Sequence, residues 1–252
     1  MTGNKFGIPH TEALAAYQQA AALAGLHVVG IDCHIGSQIT EIAPYLDAAA
    51  RLLDVVELVE AAGIALPHID FGGGLGIAYN GETPPAADAL CQQILALLDA
   101  RGMGQRQLVF EPGRSLVGNA GVCVTEVLYL KHGQSKNFCI VDAAMNDLPR
   151  PAMYQAYHQI VPLEQSAAAQ ASTYDVVGPV CESGDWLGNE RRLSVQQGDL
   201  LAVMSAGAYC MSMASNYNSR ARAAEVLVAD GQVHLIGERE PFAALVQRER
   251  ML

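Results

Sequence analysis

The sequence predicts an α/β fold followed by a β fold: a partial β/α barrel of the TIM type and then a mainly antiparallel β domain. Up to about residue 116, short apolar segments alternate with longer segments of helical periodicity, as in strand–helix units with parallel strands. Beyond that position, short apolar segments follow one another, which is typical of antiparallel strands. Three strand–helix units are too few to close an eight-stranded barrel, so a partial barrel is expected.

The elements of the first part follow from periodicity and from their flanking residues. Alanine-rich or amphipathic helices are predicted over residues 11–24, 45–62 and 86–100. The first two stop at Gly25 and Gly63, and glycine is a common helix terminator. Short buried strands are predicted over residues 27–31, 69–71 and 108–110.

The second part is predicted to be built mainly of strands. Its expected strands span residues 122–130, 138–141, 174–177 and 200–204. A hairpin is predicted over residues 225–236 with its turn at Asp230-Gly231, because this dipeptide favours two-residue hairpin loops. A short helix is expected over residues 241–248.

Composition limits the possible classes of function. With 252 residues, 51% of them hydrophobic, the chain fits one large domain or two smaller ones. The net charge of −11 and the lack of a basic run argue against nucleic acid and anionic membranes as partners. No signal peptide is visible, nor any apolar stretch near the ~20 residues of a spanning helix. The six cysteines show no C-x-x-C spacing, so we expect no metal, no disulfide framework and a reducing cytoplasm.

Five short motifs carry residues suited to chemistry. They are HIGSQ at residues 34–38, FGGGLG at 71–76, EPGR at 111–114, CESGD at 181–185 and GAY at 207–209. The first three follow predicted strands. Because barrel active sites are built from loops at the carboxyl ends of strands, we expect these three at one rim.

Each motif has a chemical interpretation and an ordinary structural one. A glycine triplet can bring backbone N–H groups close to an anion, or can simply form a tight turn. Glu111 can pair with a protonated pyridine nitrogen and Arg114 with a phosphate or carboxylate, although an isolated E-x-x-R is more often a surface ion pair. Cys181 can return a proton and Glu182 can recognise an amino group, but alone they suggest a buried cysteine beside a surface acid.

The same ambiguity applies to the ring-bearing residues. His34 can stack on an aromatic cofactor while Ser37 binds its phosphate, and Tyr209 can reach a phosphate. Lone histidines and tyrosines are nevertheless common in cores and on surfaces, and the other six histidines are assigned to that ordinary role. Arg150 and Tyr154 are four residues apart, so on a helical turn they share a face.

Taken together, the motifs resemble those of the fold-III pyridoxal phosphate decarboxylases, most closely the diaminopimelate decarboxylases. The resemblance runs from residues 4–8 to residues 224–228 and includes NDLPR at 146–150 and SNYN at 215–218. It implies a homodimeric lyase with shared active sites, pyridoxal 5'-phosphate as cofactor, and conversion of meso-2,6-diaminopimelate to L-lysine. It also implies that residues 1–116 are the C-terminal part of a cofactor-binding barrel, and residues 117–252 a β domain that carries the proton-donor loop and returns to the barrel near its end.

The resemblance implies a role for each matched residue. His34 stacks on the pyridine ring and Glu111 faces the ring nitrogen. The phosphate is held by Ser37, Gly74 and Tyr209, and the cofactor-binding set is completed by Gly72, Gly73, Pro112, Gly113 and Arg114. The distal carboxylate of the substrate binds Arg114, Arg150 and Tyr154, and its distal amino group binds Glu182. Tyr209 completes the set of substrate-binding residues. Cys181 from the partner subunit protonates Cα after carbon dioxide leaves, and the catalytic set is Cys181, His34 and Glu111.

One required group is missing. The chain has only Lys5, Lys131 and Lys136, and none matches the lysine that holds the cofactor as a Schiff base. In the resembled family that lysine lies in an early barrel strand, upstream of anything present here. The chain is therefore expected to be the greater part of an enzyme and to be inactive alone.

Two alternatives remain open at this stage. The first is a non-catalytic homologue that uses the same fold to bind a partner, which the missing lysine permits. The second is a related decarboxylase of another basic amino acid or of carboxynorspermidine. Arg150 and Glu182 argue against the second, because a substrate with an amino acid group at both ends needs both a cation and an anion at its far end.

Overall fold

The computed structural model describes residues 5–164 and 170–250, which form two compact units. The first unit comprises Met1–Ala78 and Glu82–Ser115, and the second comprises Tyr79–Gly81 and Leu116–Leu252. Each unit has its own buried hydrophobic cluster.

The first unit is a three-stranded parallel sheet with helices between its strands. In chain order it contains α1 (Ala13–Ala22), β1 (Gly30–Asp32), α2 (Ala43–Ala61), β2 (His68–Asp70), α3 (Ala87–Ala100) and β3 (Gln107–Val109), and the chain leaves it through α4 (Gly113–Val117). The predicted alternation is confirmed. The first strand begins later than predicted, at Gly30, where a Cβ would lie 2.6 Å from the His68 carbonyl oxygen, so that only glycine permits the close pairing.

Helix α2 buries one apolar stripe in the core of the first unit. The stripe recurs at helical spacing and consists of Tyr45, Ala49, Leu52, Leu53, Val55, Val56 and Val59. Leu53, Val56 and Val59 are fully buried, and burial of each such side chain contributes about 1.5–3 kcal/mol. The helix ends before Gly63, whose φ of +84° is the left-handed conformation that terminates helices.

An ion pair joins the end of α2 to the segment before β3. Arg106 Nη2 donates to Glu60 Oε2 at 2.6 Å, and Nη1 contacts the other carboxylate oxygen and donates to the Leu66 carbonyl at 2.6 Å. The hydrogen bond from Arg106 lowers the pKa of Glu60, and the same bond raises the pKa of Arg106.

The second unit is built on a six-stranded sheet. Its elements are β4 (Cys123–His132), β5 (Asn137–Val141), α5 (Arg150–Tyr154), β6 (Ile160–Pro162), β7 (Ser172–Val177), β8 (Trp186–Leu193) and β9 (Leu200–Val203), with the spatial order β6-β9-β4-β5-β7-β8. Four of the pairings are antiparallel, whereas β5 pairs with β7 in parallel, so the sheet is mixed. Between β5 and β7 the chain passes through α5 and β6 and returns in the same direction, a crossover that parallel strands require.

The chain continues into a separate hairpin and a short helix. Strands β10 (Glu225–Ala229) and β11 (Gln232–Gly237) form an antiparallel pair, and α6 covers Phe242–Val246. Asp230 and Gly231 have φ values of +51° and +72°, as the predicted two-residue turn requires. In the part of the chain that the structure describes, no helix is both long and apolar enough to cross a membrane.

Candidate functional site

The carboxyl ends of β1, β2 and β3 bring the first three motifs together. Backbone hydrogen bonds continue the parallel ladder past the strands, from Cys33 N–H to the Asp70 carbonyl and from Phe71 N–H to the Val109 carbonyl, both at 3.1 Å. Glu111 N–H then donates to the Gly72 carbonyl at 2.9 Å. The predicted meeting of the glycine triplet with Glu111 at one edge of the sheet is therefore confirmed.

The glycine triplet allows three neighbouring backbones to approach one another. A Cβ at Gly73 would overlap the Glu111 carbonyl oxygen, and a Cβ at Gly74 would overlap the carbonyl oxygen of Gly36. At Gly72 a Cβ would lie 2.9 Å from the Cys33 carbonyl oxygen. Gly72 and Gly74 also have φ values of +66° and +95°, which favour glycine. The absence of side chains here lets the loops that follow β1, β2 and β3 pack closely.

His34 is exposed, and the triplet fixes its ring. Gly73 N–H donates to His34 Nδ1 at 3.1 Å. Because an accepting ring nitrogen carries no proton, this bond assigns the neutral tautomer with its proton on Nε2. Gly72 N–H donates to Asp70 Oδ1 at 2.8 Å. The amides of Gly72 and Gly73 thus serve internal bonds, which limits their use as donors to an anion.

Three carboxylates form a cluster at the same edge. Asp32 and Asp70 are register partners at the ends of β1 and β2, so their side chains leave the same face of the sheet. One oxygen each from Asp32, Asp70 and Glu111 lies within 4.8 Å of the other two. Burial and then the charge of Asp70 raise the pKa of Asp32, and burial and then the charge of Asp32 raise the pKa of Cys33. Such a cluster favours a positively charged neighbour.

Two polar contacts order the loop that carries His34. Arg114 Nη2 donates to Ser37 Oγ at 3.1 Å, which joins the first motif to the third. Gln38 forms a paired amide contact with Ile77, in which Nε2 donates to the carbonyl at 2.6 Å and Oε1 accepts the N–H at 3.2 Å. Gln38 therefore supports the loop, whereas the hydroxyl and guanidinium of Ser37 and Arg114 are groups that bind phosphate.

In the second unit, a buried carboxylate holds the loop with the CESGD motif. Asp185 is 4% exposed; its Oδ1 accepts Met145 N–H at 2.7 Å and its Oδ2 accepts Val180 N–H at 2.8 Å. A Cβ at Gly178 would overlap this carboxylate. Cys181 and Glu182 are both exposed on the loop. The ordinary alternative for Cys181, a buried cysteine, is therefore wrong.

Glu182 is oriented by two neutral donors. Gly184 N–H donates to Oε1 at 3.1 Å, and the Tyr217 hydroxyl donates to Oε2 at 3.3 Å. The charge of Glu182 is the main cause that raises the pKa of Tyr217. Tyr217 was included in the SNYN motif but was not predicted to be a site residue.

Helix α5 carries Arg150 and Tyr154 on one turn, as predicted, but their environments differ. Arg150 is 9% exposed, with Nη1 2.9 Å from His158 Nε2 and its guanidinium 4.8 Å from the centre of the Tyr79 ring. Tyr154 is 61% exposed. Neither His158 nor Tyr79 is distinguished by its local sequence.

The GAY motif lies in a tightly packed turn. A Cβ at Gly207 would overlap the Val117 carbonyl oxygen, and Gly207 N–H donates to the Gly118 carbonyl at 3.0 Å. Tyr209 adopts a φ of +59°, an uncommon conformation for a residue with a side chain.

The three lysines lie on other elements of the chain than the loops that follow β1, β2 and β3. Lys131 lies in β4, with its Nζ 5.7 Å from the centre of the Phe138 ring. Lys136 forms an ion pair with Asp175, in which Nζ is 2.7 Å from Oδ2. Lys5 precedes α1 and lies over Phe6. None of the three lies in the loop directly after β1, β2 or β3.

Comparisons with known proteins identify the family of the chain. Residues 47–207 match the family model described as the C-terminal sheet domain of pyridoxal-dependent decarboxylases. The chain is 49% identical to the diaminopimelate decarboxylase of Vibrio cholerae and 52% identical to that of Pseudomonas aeruginosa, each over 249 residues. Both alignments cover 99% of the chain and 59% of the relative.

A solved structure extends the similarity to three dimensions. Diaminopimelate decarboxylase from M. jannaschii in complex with L-lysine matches with a TM-score of 0.94 and 36% identity. The match covers 100% of this chain and 59% of that protein, so the chain spans about three fifths of the length of its relatives. Since the family model covers residues 47–207, more than half of the 252 residues, the chain belongs to the pyridoxal-dependent decarboxylases.

Proposed function

We propose that this chain acts within a full-length enzyme that decarboxylates meso-2,6-diaminopimelate to L-lysine with pyridoxal 5'-phosphate as cofactor. Here, full-length enzyme means this chain together with a segment that supplies the lysine anchoring the cofactor aldehyde. Residues 1–116 would be the C-terminal part of a TIM-like barrel and residues 117–252 the β domain with the proton-donor loop. The observation that carries the proposal is the meeting of His34, Glu111 and the glycine triplet at the strand ends.

The strand-end residues of the first unit fit this cofactor. The cluster of Asp32, Asp70 and Glu111 favours a cation, and a protonated pyridine nitrogen facing Glu111 is one. His34 is exposed and fixed by Gly73, so its ring has a defined plane on which a second ring can stack. When bound, the cofactor supplies an electron-accepting ring for the bond between Cα and the departing carboxylate.

The phosphate would be held where the first and third motifs meet. Ser37 and Arg114 are already in contact at 3.1 Å. Gly74 packs directly against the loop that carries Ser37, since a Cβ there would overlap the Gly36 carbonyl oxygen. Pro112 and Gly113 connect Glu111 to Arg114 and so fix their spacing. Gly72 and Gly73 contribute by close backbone packing. Tyr209 is added to this set by the family resemblance alone.

The far end of the substrate carries a carboxylate and an ammonium group, which need opposite charges. We assign the carboxylate to Arg150 with Tyr154 and Arg114, and the ammonium to Glu182. The exposed thiol of Cys181 would give a proton to Cα after carbon dioxide leaves. By the family resemblance, Cys181 comes from the partner subunit of a homodimer.

The first test measures turnover of meso-diaminopimelate by the full-length enzyme. We expect Cys181→Ala to lower kcat by about 10²–10⁴-fold, the usual contribution of a general acid, with cofactor binding retained. Cys91→Ala, a partly buried cysteine of α3, is the matched control and should leave kcat unchanged. Turnover of Cys181→Ala at the unsubstituted rate, with normal product, would refute the assignment.

The second part of the test concerns the choice of substrate. We expect the unsubstituted enzyme to prefer meso-diaminopimelate over ornithine, arginine and carboxynorspermidine in kcat/KM. Glu182→Gln should raise KM for diaminopimelate, because the distal ammonium loses a charged partner. A higher kcat/KM for one of the other substrates would replace diaminopimelate in the proposal, and activity towards none of them would favour a non-catalytic homologue.

A further inference from the structure

Arg150 lies in a buried polar network of the second unit. Its Nη1 is 2.9 Å from His158 Nε2, and His158 Nδ1 is 2.9 Å from the Met204 carbonyl oxygen. Tyr79 packs on both partners, with Arg150 over its ring at 4.8 Å and the His158 ring edge-on at 5.2 Å. His158 is fully buried, with 0% exposure.

The donors and acceptors of this network determine the protonation of His158. A guanidinium can only donate hydrogen bonds, and a carbonyl oxygen can only accept them. Nε2 of His158 must therefore accept from Arg150, and Nδ1 must donate to Met204. The imidazole is neutral with its proton on Nδ1, because a protonated Nε2 would direct an N–H group at the guanidinium.

We infer that His158 is a positioning residue for Arg150: it holds the guanidinium in the orientation that receives the distal carboxylate of the substrate, an inference that rests on the proposed function. A neutral imidazole can orient a guanidinium without neutralising its charge, whereas a carboxylate in the same place would compete with the substrate. The Tyr79 ring supports the flat face of the guanidinium. Orientation before binding reduces the side-chain freedom that is lost when the ligand binds.

The test compares two ligands that differ in the distal carboxylate. L-Lysine retains this carboxylate, whereas cadaverine is the same diamine without it. Calorimetry on the full-length holoenzyme gives the Kd of each ligand for the unsubstituted enzyme and for two variants. His158→Asn can keep the donor to Met204 but loses the acceptor for Arg150. His158→Gln can place an amide oxygen near the position of Nε2 and restore the acceptor.

We expect His158→Asn to weaken L-lysine binding by about tenfold, the effect of one lost hydrogen bond to a charged group, and to change cadaverine binding by less than about twofold. His158→Gln should recover most of the L-lysine affinity. In kinetics, His158→Asn should raise KM for diaminopimelate and leave kcat nearly unchanged. Equal weakening of both ligands, or unchanged L-lysine binding, would overturn the positioning role.

A second measurement does not depend on the folding of any variant. Nitrogen-15 NMR of the unsubstituted holoenzyme should show His158 protonated on Nδ1 and unprotonated on Nε2. A proton on Nε2 would overturn the inference directly. Failure of the unsubstituted enzyme to decarboxylate diaminopimelate would instead refute the proposed function, and the ratio of L-lysine to cadaverine affinity would still decide the role of His158.

Discussion

The Asp185 carboxylate should control the order of the loop that presents Cys181 and Glu182. It is 4% exposed and accepts two backbone N–H groups, from Met145 at 2.7 Å and from Val180 at 2.8 Å. We predict that Asp185→Ala destabilises the closed loop by at least about 2 kcal/mol, since each donor left without a partner costs about 1–3 kcal/mol. This free energy corresponds to a roughly thirtyfold shift in the opening equilibrium.

Hydrogen exchange followed by mass spectrometry measures this opening directly in the full-length enzyme. A peptide covering residues 178–185 should exchange about thirtyfold faster in Asp185→Ala, while residues 123–132 of the central strand β4 remain as protected as before. Asp199→Ala is the matched control: Asp199 accepts one N–H, from Gln196 at 2.8 Å, in an exposed turn. It should not change exchange in residues 178–185. Exchange of the loop in Asp185→Ala within twofold of the unsubstituted rate would refute the reasoning.

Further predictions concern the first unit and the lysines. Gly73→Ala should force Glu111 away from the triplet and weaken pyridoxal phosphate binding at least about tenfold, because its Cβ would overlap the Glu111 carbonyl oxygen. Gly25→Ala is the control, because Gly25 also lacks a positive φ and a Cβ there would meet no atom within 4 Å. Since Arg106 depresses the pKa of Glu60 below 4.5, Glu60 stabilises the fold fully above that pH and loses its contribution as pH falls through the depressed pKa. The difference in unfolding free energy between the unsubstituted protein and Glu60→Gln should therefore shrink on acidification; a constant difference would contradict the pair. Borohydride should trap no cofactor on Lys5, Lys131 or Lys136 of this chain alone.

The sequence predicted those features that depend on neighbours along the chain. The three strand–helix units, the turn at Asp230-Gly231 and the loops after the strands follow from local periodicity and turn chemistry. Strand β8 was missed because Gly188, Asn189 and the charged residues after them are typical of a loop, and its pairing with β7 decides its structure. The parallel pairing of β5 with β7 likewise depends on the path of the intervening chain.

The missed site residues act through distant contacts, but some left a signal. Asp32 and Asp70 each close a strand of the parallel sheet, so acids at strand ends could have indicated the cluster with Glu111. His158 gave no such signal, because its partners Arg150, Met204 and Tyr79 are brought together only by the fold. The sequence predicts an ordinary core or surface role for His158, and its full burial with two polar contacts is that of a satisfied core histidine.

The charged residues of this chain are held in two different ways, and the difference separates support from function. Glu60 with Arg106 and Asp175 with Lys136 are oriented by opposite charges, so each pair largely satisfies itself. Glu182 is oriented instead by a backbone N–H and a phenol. The contacts of Arg150 include an imidazole and an aromatic ring. Neutral groups fix direction without cancelling charge. A carboxylate such as Glu182 that is to bind a substrate ammonium needs this second arrangement, because a charge already paired inside the protein has little attraction left for a ligand.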